Sequence, residues 1–224
     1  MQVVMTAAGR GSRFTPTHTM PKPFILVEDV PMWERAIRPW LRYGTPTVVM
    51  QESHSKYIGN VNFECDFIFI NYYTEGAAET CAIGARSIER DKPVMFVECD
   101  SVIEFDHDNW DYSTAGTFVV KRDNPAHSYC KLNGDGYVTE IREKEVVSPW
   151  ANTGHYWFQT AGQFLDTYDL AKKEERKTRG EYYTAPLYND IIANGDKVKT
   201  QLVDQWHCWG TPQDVYEWKN SNTD

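Results

Sequence analysis

The chain predicts an α/β domain with a mainly parallel sheet covered by helices on both faces, and three observations predict it. Largely apolar runs of strand length recur in the first half, at Gln2–Ala8, Thr47–Gln51, Phe67–Ile70 and Pro93–Glu98, as expected of strands buried on both faces. Segments of helical composition and spacing, Pro31–Tyr43 and Ala77–Ile88, fall between them, giving the βαβ rhythm of parallel pairing. A length of 224 residues with 41% hydrophobic content suits one large domain, 1–224, with a real core. Such sheets take ligands at the carboxyl ends of their strands.

Each element has its own local reason. Pro31 suits a first helical turn, where its missing N–H is not needed, while Pro39 is expected to kink the same helix. The strand Pro93–Glu98 is expected to end at Cys99-Asp100. After Asp111 the grammar changes. Thr114–Lys121 and Tyr129–Glu143 read as antiparallel strands, the second broken by the turn signal Asn133-Gly134-Asp135-Gly136. Gly162–Lys177 and Thr184–Ala193 read as helices and Lys197–Val203 as a strand. A last helix, Pro212–Asn220, is opened by Thr211 as N-cap.

Composition excludes some functions. A net charge of -9 argues against a nucleic-acid backbone or an anionic membrane as the partner, while leaving room for a local basic pocket. The five cysteines are odd in number, lack CxxC spacing and sit mostly in apolar contexts. They suit reduced thiols of a cytoplasmic protein rather than a disulfide framework or a zinc site. The apolar N-terminal run from Val3 to Ala8 is too short for a signal-peptide core, and no stretch approaches the ~20 apolar residues of a membrane span.

The most informative motif is Ala7-Ala8-Gly9-Arg10-Gly11-Ser12-Arg13, followed by Pro21-Lys22-Pro23. Glycines directly after a buried strand let backbone N–H groups cradle phosphate oxygens, a reading in which Ala8, Gly9 and Gly11 would meet a nucleotide. Arg13 as a planar fork and Lys22 as a point charge would neutralise a triphosphate. The glycine spacing by itself equally suits an ordinary βα turn. Neither a P-loop GK[ST] nor GxGxxG is present.

G-x-G-x-R, seven residues, then P-K-P resembles the signature of the sugar-phosphate nucleotidyltransferases, the pyrophosphorylases typified by glucose-1-phosphate thymidylyltransferase, and Pro16 agrees with its common form. Further matches follow in the family's order. Thr74–Thr80 is similar to the segment that meets the base, with Gly76 and Ala77 leaving room for the ring. Asp100 corresponds to the metal-binding aspartate, and Tyr129 to the tyrosine before a sugar-contacting residue, although Cys130 stands where glycine is usual. Glu143-Lys144 matches the pair that receives sugar hydroxyls and sugar phosphate, and Asn152-Thr153-Gly154-His155-Tyr156 the strand lining the sugar site. Arg179-Gly180-Glu181 is similar to the segment whose arginine holds the sugar phosphate, and Gly210-Thr211-Pro212 to the closing turn.

The resemblance implies a Rossmann-like, GT-A-type fold with a mixed sheet, a nucleotide-binding half at 1–111 and a sugar-phosphate-binding half at 112–224. It implies a nucleoside triphosphate and a sugar 1-phosphate as substrates, magnesium as cofactor, and neither nucleic acid nor membrane as partner. Local readings stand beside several of these roles. Glu143 and Lys144 lie in a charged run that also suits a solvated strand face, and Arg179 follows a Lys/Glu-rich helix whose dipole a cation would complement. His155 and His207 lack metal-ligand spacing and are expected to be structural, and the eight tryptophans to serve the core and the sugar side.

Other classes stay in view: a cytidylyltransferase acting on an alcohol phosphate such as phosphocholine, a glycosyltransferase on the same fold, and a non-catalytic nucleotide-sugar sensor. A glycosyltransferase wants a DxD motif, and Glu98-Cys99-Asp100 lacks its first aspartate. One departure is conspicuous. Relatives carry a second metal-binding carboxylate two residues before the glycine of the closing turn, where this chain has Cys208, with Asp204 four residues upstream as a possible replacement. A thiol is a poor ligand for a hard cation.

Overall fold

The computed structural model describes residues 1–221. In chain order the elements are β1 (Gln2–Ala7), β2 (Leu26–Val27), β3 (Val30–Pro31), α1 (Met32–Ile37), β4 (Thr47–Gln51), β5 (Asp66–Ile70) and α2 (Ala77–Ala85). They continue as β6 (Val94–Glu98), β7 (Ser101–Glu104), β8 (Ala115–Lys121), β9 (Ser128–Leu132), β10 (Val138–Glu143) and β11 (Trp150–Phe158). The last are α3 (Ala161–Lys173), α4 (Tyr188–Ala193), β12 (Val198–Leu202), β13 (Gln205–Cys208) and α5 (Pro212–Ser221).

The main sheet runs β10-β9-β11-β6-β1-β4-β5, with β8 pairing β11 and β12. Its first-half strands β6, β1, β4 and β5 are parallel. Strand β11 then joins β6 antiparallel, and β8 and β9 pair antiparallel with β11. This is the mixed α/β sheet expected, with the antiparallel part beginning after Asp111.

Period-two alternation divides the core into two layers. From β1 and β6, Val4, Val94 and Phe96 face a layer with α2, α3 and α4. Val3, Met5, Met95 and Val97 face the opposite layer, with Trp33 of α1 and with Trp40. Helix α2 comes close to the sheet because its residues are small: a Cβ on Gly84 would lie 2.4 Å from a Val4 methyl. A third small cluster of Phe14, Ile25, Val27, Met32, Trp209 and Val215 pins the loop after β1 to the C-terminal helix.

Several boundaries differ from the sequence expectation, each for a local reason. Pro31–Tyr43 is not one kinked helix: α1 ends at Ile37 and Arg38–Tyr43 continues as a 3-10 turn, because Pro39 has no N–H to give an α-helical bond. Pro186 likewise turns the start of Thr184–Ala193 into a 3-10 segment before α4. Helix α3 begins at Ala161, capped by Thr160 Oγ1, which accepts from Gln163 N at 2.9 Å, and stops at Lys173. The Thr211 cap is present as a reciprocal box, with Asp214 N donating to Thr211 Oγ1 at 3.2 Å and Thr211 N to Asp214 Oδ2 at 2.7 Å. The turn between β9 and β10 is held by Asn133 Oδ1, which accepts from the N–H of Asp135 and Tyr137. The antiparallel ribbon β7–β13 was not expected, and it pairs Cys208 with Ser101 beside the end of β6.

His155 on β11 is fully buried and stacks on Trp40 with ring centroids 5.7 Å apart. Burial pushes its imidazole down to about 4. The unfolded ring protonates near ~6.5, so as pH falls the unfolded chain takes up the proton first and the native state loses stability. Between about pH 6.5 and pH 4 this group should remove up to about 3 kcal/mol. Urea midpoints at pH 7, 5.5 and 4 should show a shallower acid-side loss in His155→Phe, which keeps the stacked ring but has no proton to gain.

Candidate functional site

The loop after β1 is shaped by two close approaches. Gly11 has φ 61°, and a Cβ there would sit 3.0 Å from Lys22 Cβ, so this position favours glycine twice over. Phe14 N donates to Gly11 O at 2.8 Å, and buried Phe14 anchors the turn. Lys22 opens the short 3-10 segment Lys22–Phe24 between two prolines. Its Nζ donates to Asp100 Oδ2 at 2.5 Å, with side chains only 17% and 9% exposed.

Asp100 lies two residues past the end of β6, and its carbonyl accepts from Trp209 N at 2.7 Å, which ties it to the Gly210-Thr211-Pro212 turn. A Cβ on Gly210 would lie 3.4 Å from Asp100 Oδ2 and 3.5 Å from both Arg13 Nη1 and Cys208 Sγ. Arg13, Asp100 and Cys208 therefore converge on one glycine. Burial would raise the Asp100 carboxyl, but the Lys22 ammonium, its hydrogen bond and Arg13 hold it below the usual carboxylate range. Burial would also lower Lys22, and the Asp100 charge overrides it to push the ammonium up. The Cys208 thiol is pushed well above its ordinary value by burial and then by the Asp100 charge, so it stays protonated.

These groups stand at one end of a cleft of about 850 Å³. At the other end β10 delivers Glu143 and Lys144. Lys144 Nζ lies 3.2 Å from Glu143 Oε1, donates to Ala126 O at 2.5 Å and sits 5.4 Å above the Tyr183 ring. Burial raises the Glu143 carboxyl against the pull of Lys144 and Arg179. Lys144 and Arg179 have φ of 60° and 49°, left-handed backbone that side chains seldom adopt and that concentrates at functional sites.

The floor between the two ends is β11. Its pairing with β8 shifts register between Asn152 and Tyr156, a bulge of the kind that re-aims side chains next to sites. Asn152 Nδ2 donates to Ser128 Oγ at 2.7 Å, and its Oδ1 accepts from Cys130 Sγ and Thr117 Oγ1. Gly154 has φ 86°, and a Cβ there would lie 2.7 Å from Glu98 Oε2.

Of the expected residues, Arg13, Asp100, Glu143, Lys144, Asn152, Gly154 and Ala77 line the cleft, and Lys22 reaches it through Asp100. Ala8, Gly9, Gly11, Gly76, Tyr129 and Arg179 lie outside its wall. Tyr129 is fully buried, and its hydroxyl donates to Asn124 O at 2.7 Å, so it shapes the loop after β8 from behind. Gly76 is needed by the backbone: a Cβ would stand 2.4 Å from Tyr182 O, which accepts from Ala78 N, while Tyr182 N donates to Glu75 O. Ala8 is fixed by Gln51, whose Nε2 donates to Ala8 O at 2.7 Å and to Tyr72 O at 3.0 Å. The Arg10 guanidinium covers the Tyr73 ring at 4.4 Å.

Sequence reasoning missed Gln51 and Glu98, each a polar residue closing an otherwise apolar strand, which is where such sheets place ligand groups. Burial and the neighbouring Asp100 charge push the Glu98 carboxyl up to about 8. It missed Trp206 and His127 too, whose rings meet edge to face at 5.0 Å in the cleft wall. Among the described residues no cluster of three or more His, Cys, Asp or Glu side chains is set to hold a metal ion, and Asp204 is absent from the cleft wall.

A family model described as nucleotidyl transferase matches residues 2–224. The chain is 24% identical to a UTP–glucose-1-phosphate uridylyltransferase of Haloferax volcanii, covering 96% of this chain and 93% of that one. The fold is similar to a nucleoside-diphosphate-sugar pyrophosphorylase of Vibrio cholerae RC9, with TM-score 0.81, 21% identity, and 98% and 100% of the two chains covered. It is also similar to the inositol-1-phosphate CTP transferase of T. maritima, with TM-score 0.74, 17% identity, and 98% and 94% covered.

The close approach at Gly154 gives a direct test. Gly154→Ala adds left-handed strain and a contact with the Glu98 carboxylate, together roughly 2–4 kcal/mol. In Glu98→Ala the contact disappears while the backbone strain remains. A double-mutant cycle on urea midpoints should therefore give a coupling of at least about 1 kcal/mol between the two positions.

Proposed function

This chain belongs to the nucleotidyl transferase family, and from that premise we propose that it joins a nucleoside triphosphate to a sugar 1-phosphate with release of pyrophosphate. The observation that carries the proposal is the placing of basic side chains at both ends of one cleft: Arg13 beside the Lys22–Asp100 pair at the strand end, and Lys144 beside Glu143 across the β11 floor. The reading assigns residues 1–111 to the nucleotide and 112–224 to the acceptor. The likeness to the uridylyltransferase along nearly the whole chain supports a sugar 1-phosphate acceptor.

The chemistry asks little of a general base, because the attacking phosphate is already an anion. An acceptor phosphate oxygen attacks the α-phosphorus in line, and pyrophosphate leaves on the opposite side. The protein brings two polyanions together and spreads their charge. Arg13 and Lys22 serve the leaving pyrophosphate and Lys144 receives the incoming phosphate, with Arg179, outside the cleft wall but close enough for its charge to act on Glu143, as its long-range support. Asn152 and Glu143 offer polar groups to sugar hydroxyls. Gln51, by clamping the carbonyls of Ala8 and Tyr72, spaces the two loops between which the base would lie.

Asp100 fits a magnesium ion, since it is an ionised oxygen donor at the cleft, and magnesium binds through one or two carboxylates plus substrate phosphates. When bound there it would neutralise nucleotide oxygens. Cys208, a protonated thiol, does not fit the second position. The five free thiols suit a reducing cytoplasm.

A matrix of nucleoside triphosphates against sugar 1-phosphates and alcohol phosphates, read by pyrophosphate release, tests the reading. One pair should turn over. With that pair, Arg13→Ala should lower turnover by on the order of 10²-fold, the scale of losing a positioned donor to a transferring phosphoryl group. Asp100→Asn should abolish it, Cys208→Ala should be tolerated, and Cys208→Asp should lower the magnesium concentration required. Release of no pyrophosphate from any pair overturns the reading.

Separate titrations distinguish the two ends. Glu143→Gln and Lys144→Ala should weaken acceptor binding and raise its KM while leaving triphosphate binding nearly unchanged. Equal losses for both ligands would assign these two residues a structural role.

A further inference from the structure

The carboxylate that suits a metal already has a cation. Lys22 Nζ lies 2.5 Å from Asp100 Oδ2, both side chains are largely out of water, and Arg13 adds a second positive charge beside them. The ammonium is delivered from a stiff base: Pro21 and Pro23 flank Lys22, and Gly11 packs against its Cβ. A divalent ion approaching Asp100 by itself meets two positive charges, and to take the carboxylate it must leave the ammonium without an anion. Glu98, the acidic side chain at the end of β6, is packed against Gly154 and forms no ion pair with Lys22 among the described residues. Cys208 brings no oxygen that would tip the balance toward the metal.

We propose that Lys22 is a built-in stand-in for the metal, holding Asp100 in the ligand-free protein and giving it up only when a triphosphate offers the ammonium new oxygens. The inference rests on the triphosphate reading above and adds an order to it: the divalent ion enters with the nucleotide and not before. Apparent metal affinity is reduced by the fraction of molecules in which Asp100 is free. Removing the Lys22 charge therefore tightens metal binding in the absence of nucleotide, although the same change weakens the triphosphate clamp.

The test uses the full chain and Mn2+ alone, with the signal of the free ion followed by electron paramagnetic resonance. Lys22→Met and Lys22→Gln should bind Mn2+ at least about tenfold more tightly than wild type, and Asp100→Asn added to Lys22→Met should remove the gain. Equal affinity in wild type and folded Lys22 variants, or no binding by either variant, overturns the proposal. Thermal melting of wild type supplies a measurement that needs no variant. Millimolar Mn2+ alone should leave Tm unchanged, whereas triphosphate with Mn2+ should raise it above triphosphate alone. A rise with Mn2+ alone overturns the proposal. No rise with any triphosphate, with or without metal, would instead count against the nucleotidyl-transfer reading itself.

Discussion

The ion pair between Lys22 and Asp100 is the contact on which the site depends. It joins the loop after β1 to the end of β6, two segments that meet because these strands pair in parallel from Gln2–Val94 to Thr6–Glu98. Leaving one partner of a buried pair alone costs about 3–5 kcal/mol, so loop and strand end form one unit. The surroundings serve that unit: Gly11 lets the Lys22 stem approach, the prolines limit its backbone, and Phe14 packs in a cluster with Trp209. Trp209 N then holds the Asp100 carbonyl, bringing the C-terminal turn and Arg13 to the same point.

The other half of the cleft is organised by backbone irregularity. The bulge in β11 lets Gly154 turn left-handed and leaves space for the Glu98 carboxylate. Lys144, immediately after β10, and Arg179 also carry left-handed backbone. Strain of this kind persists only where the surroundings over-determine it. Here the neighbouring strands, the Lys144 amide bonded to His127 O and the Lys144 ammonium bonded to Ala126 O supply that constraint. Glu98 lies against this floor, and its carboxyl is raised first by burial and then by the Asp100 charge.

The parts of fold and site legible in the sequence were those with a local cause. Apolar runs marked β1, β4 and β6, the Asn-Gly-Asp-Gly run marked the β9–β10 turn, and Thr211 marked a cap. Pro39 was expected to bend a helix and instead stands in the first turn of a separate 3-10 segment, where its missing N–H is not needed. The β7–β13 ribbon was not legible: each strand has four residues of mixed polarity, too few to show a period. Tyr129 looked like a site residue by position in the chain, yet strand register turns it into the core.

By itself the sequence determined the α/β architecture with both faces of the sheet covered, the glycine-rich turn after the first strand, and which charged residues were available for phosphate chemistry. These follow from side-chain period, from the conformational range of glycine and proline, and from charge, all local properties of the chain. Only the tertiary structure decided how those groups are used. It pairs Lys22 with Asp100 across 78 residues, sets a protonated Cys208 beside that pair, assigns Gly76 to the backbone of Tyr182, and brings Glu98 against Gly154. The physical reason is that each of these contacts depends on which strands pair and in what register, and charges meet only after the hydrophobic layers have fixed that register.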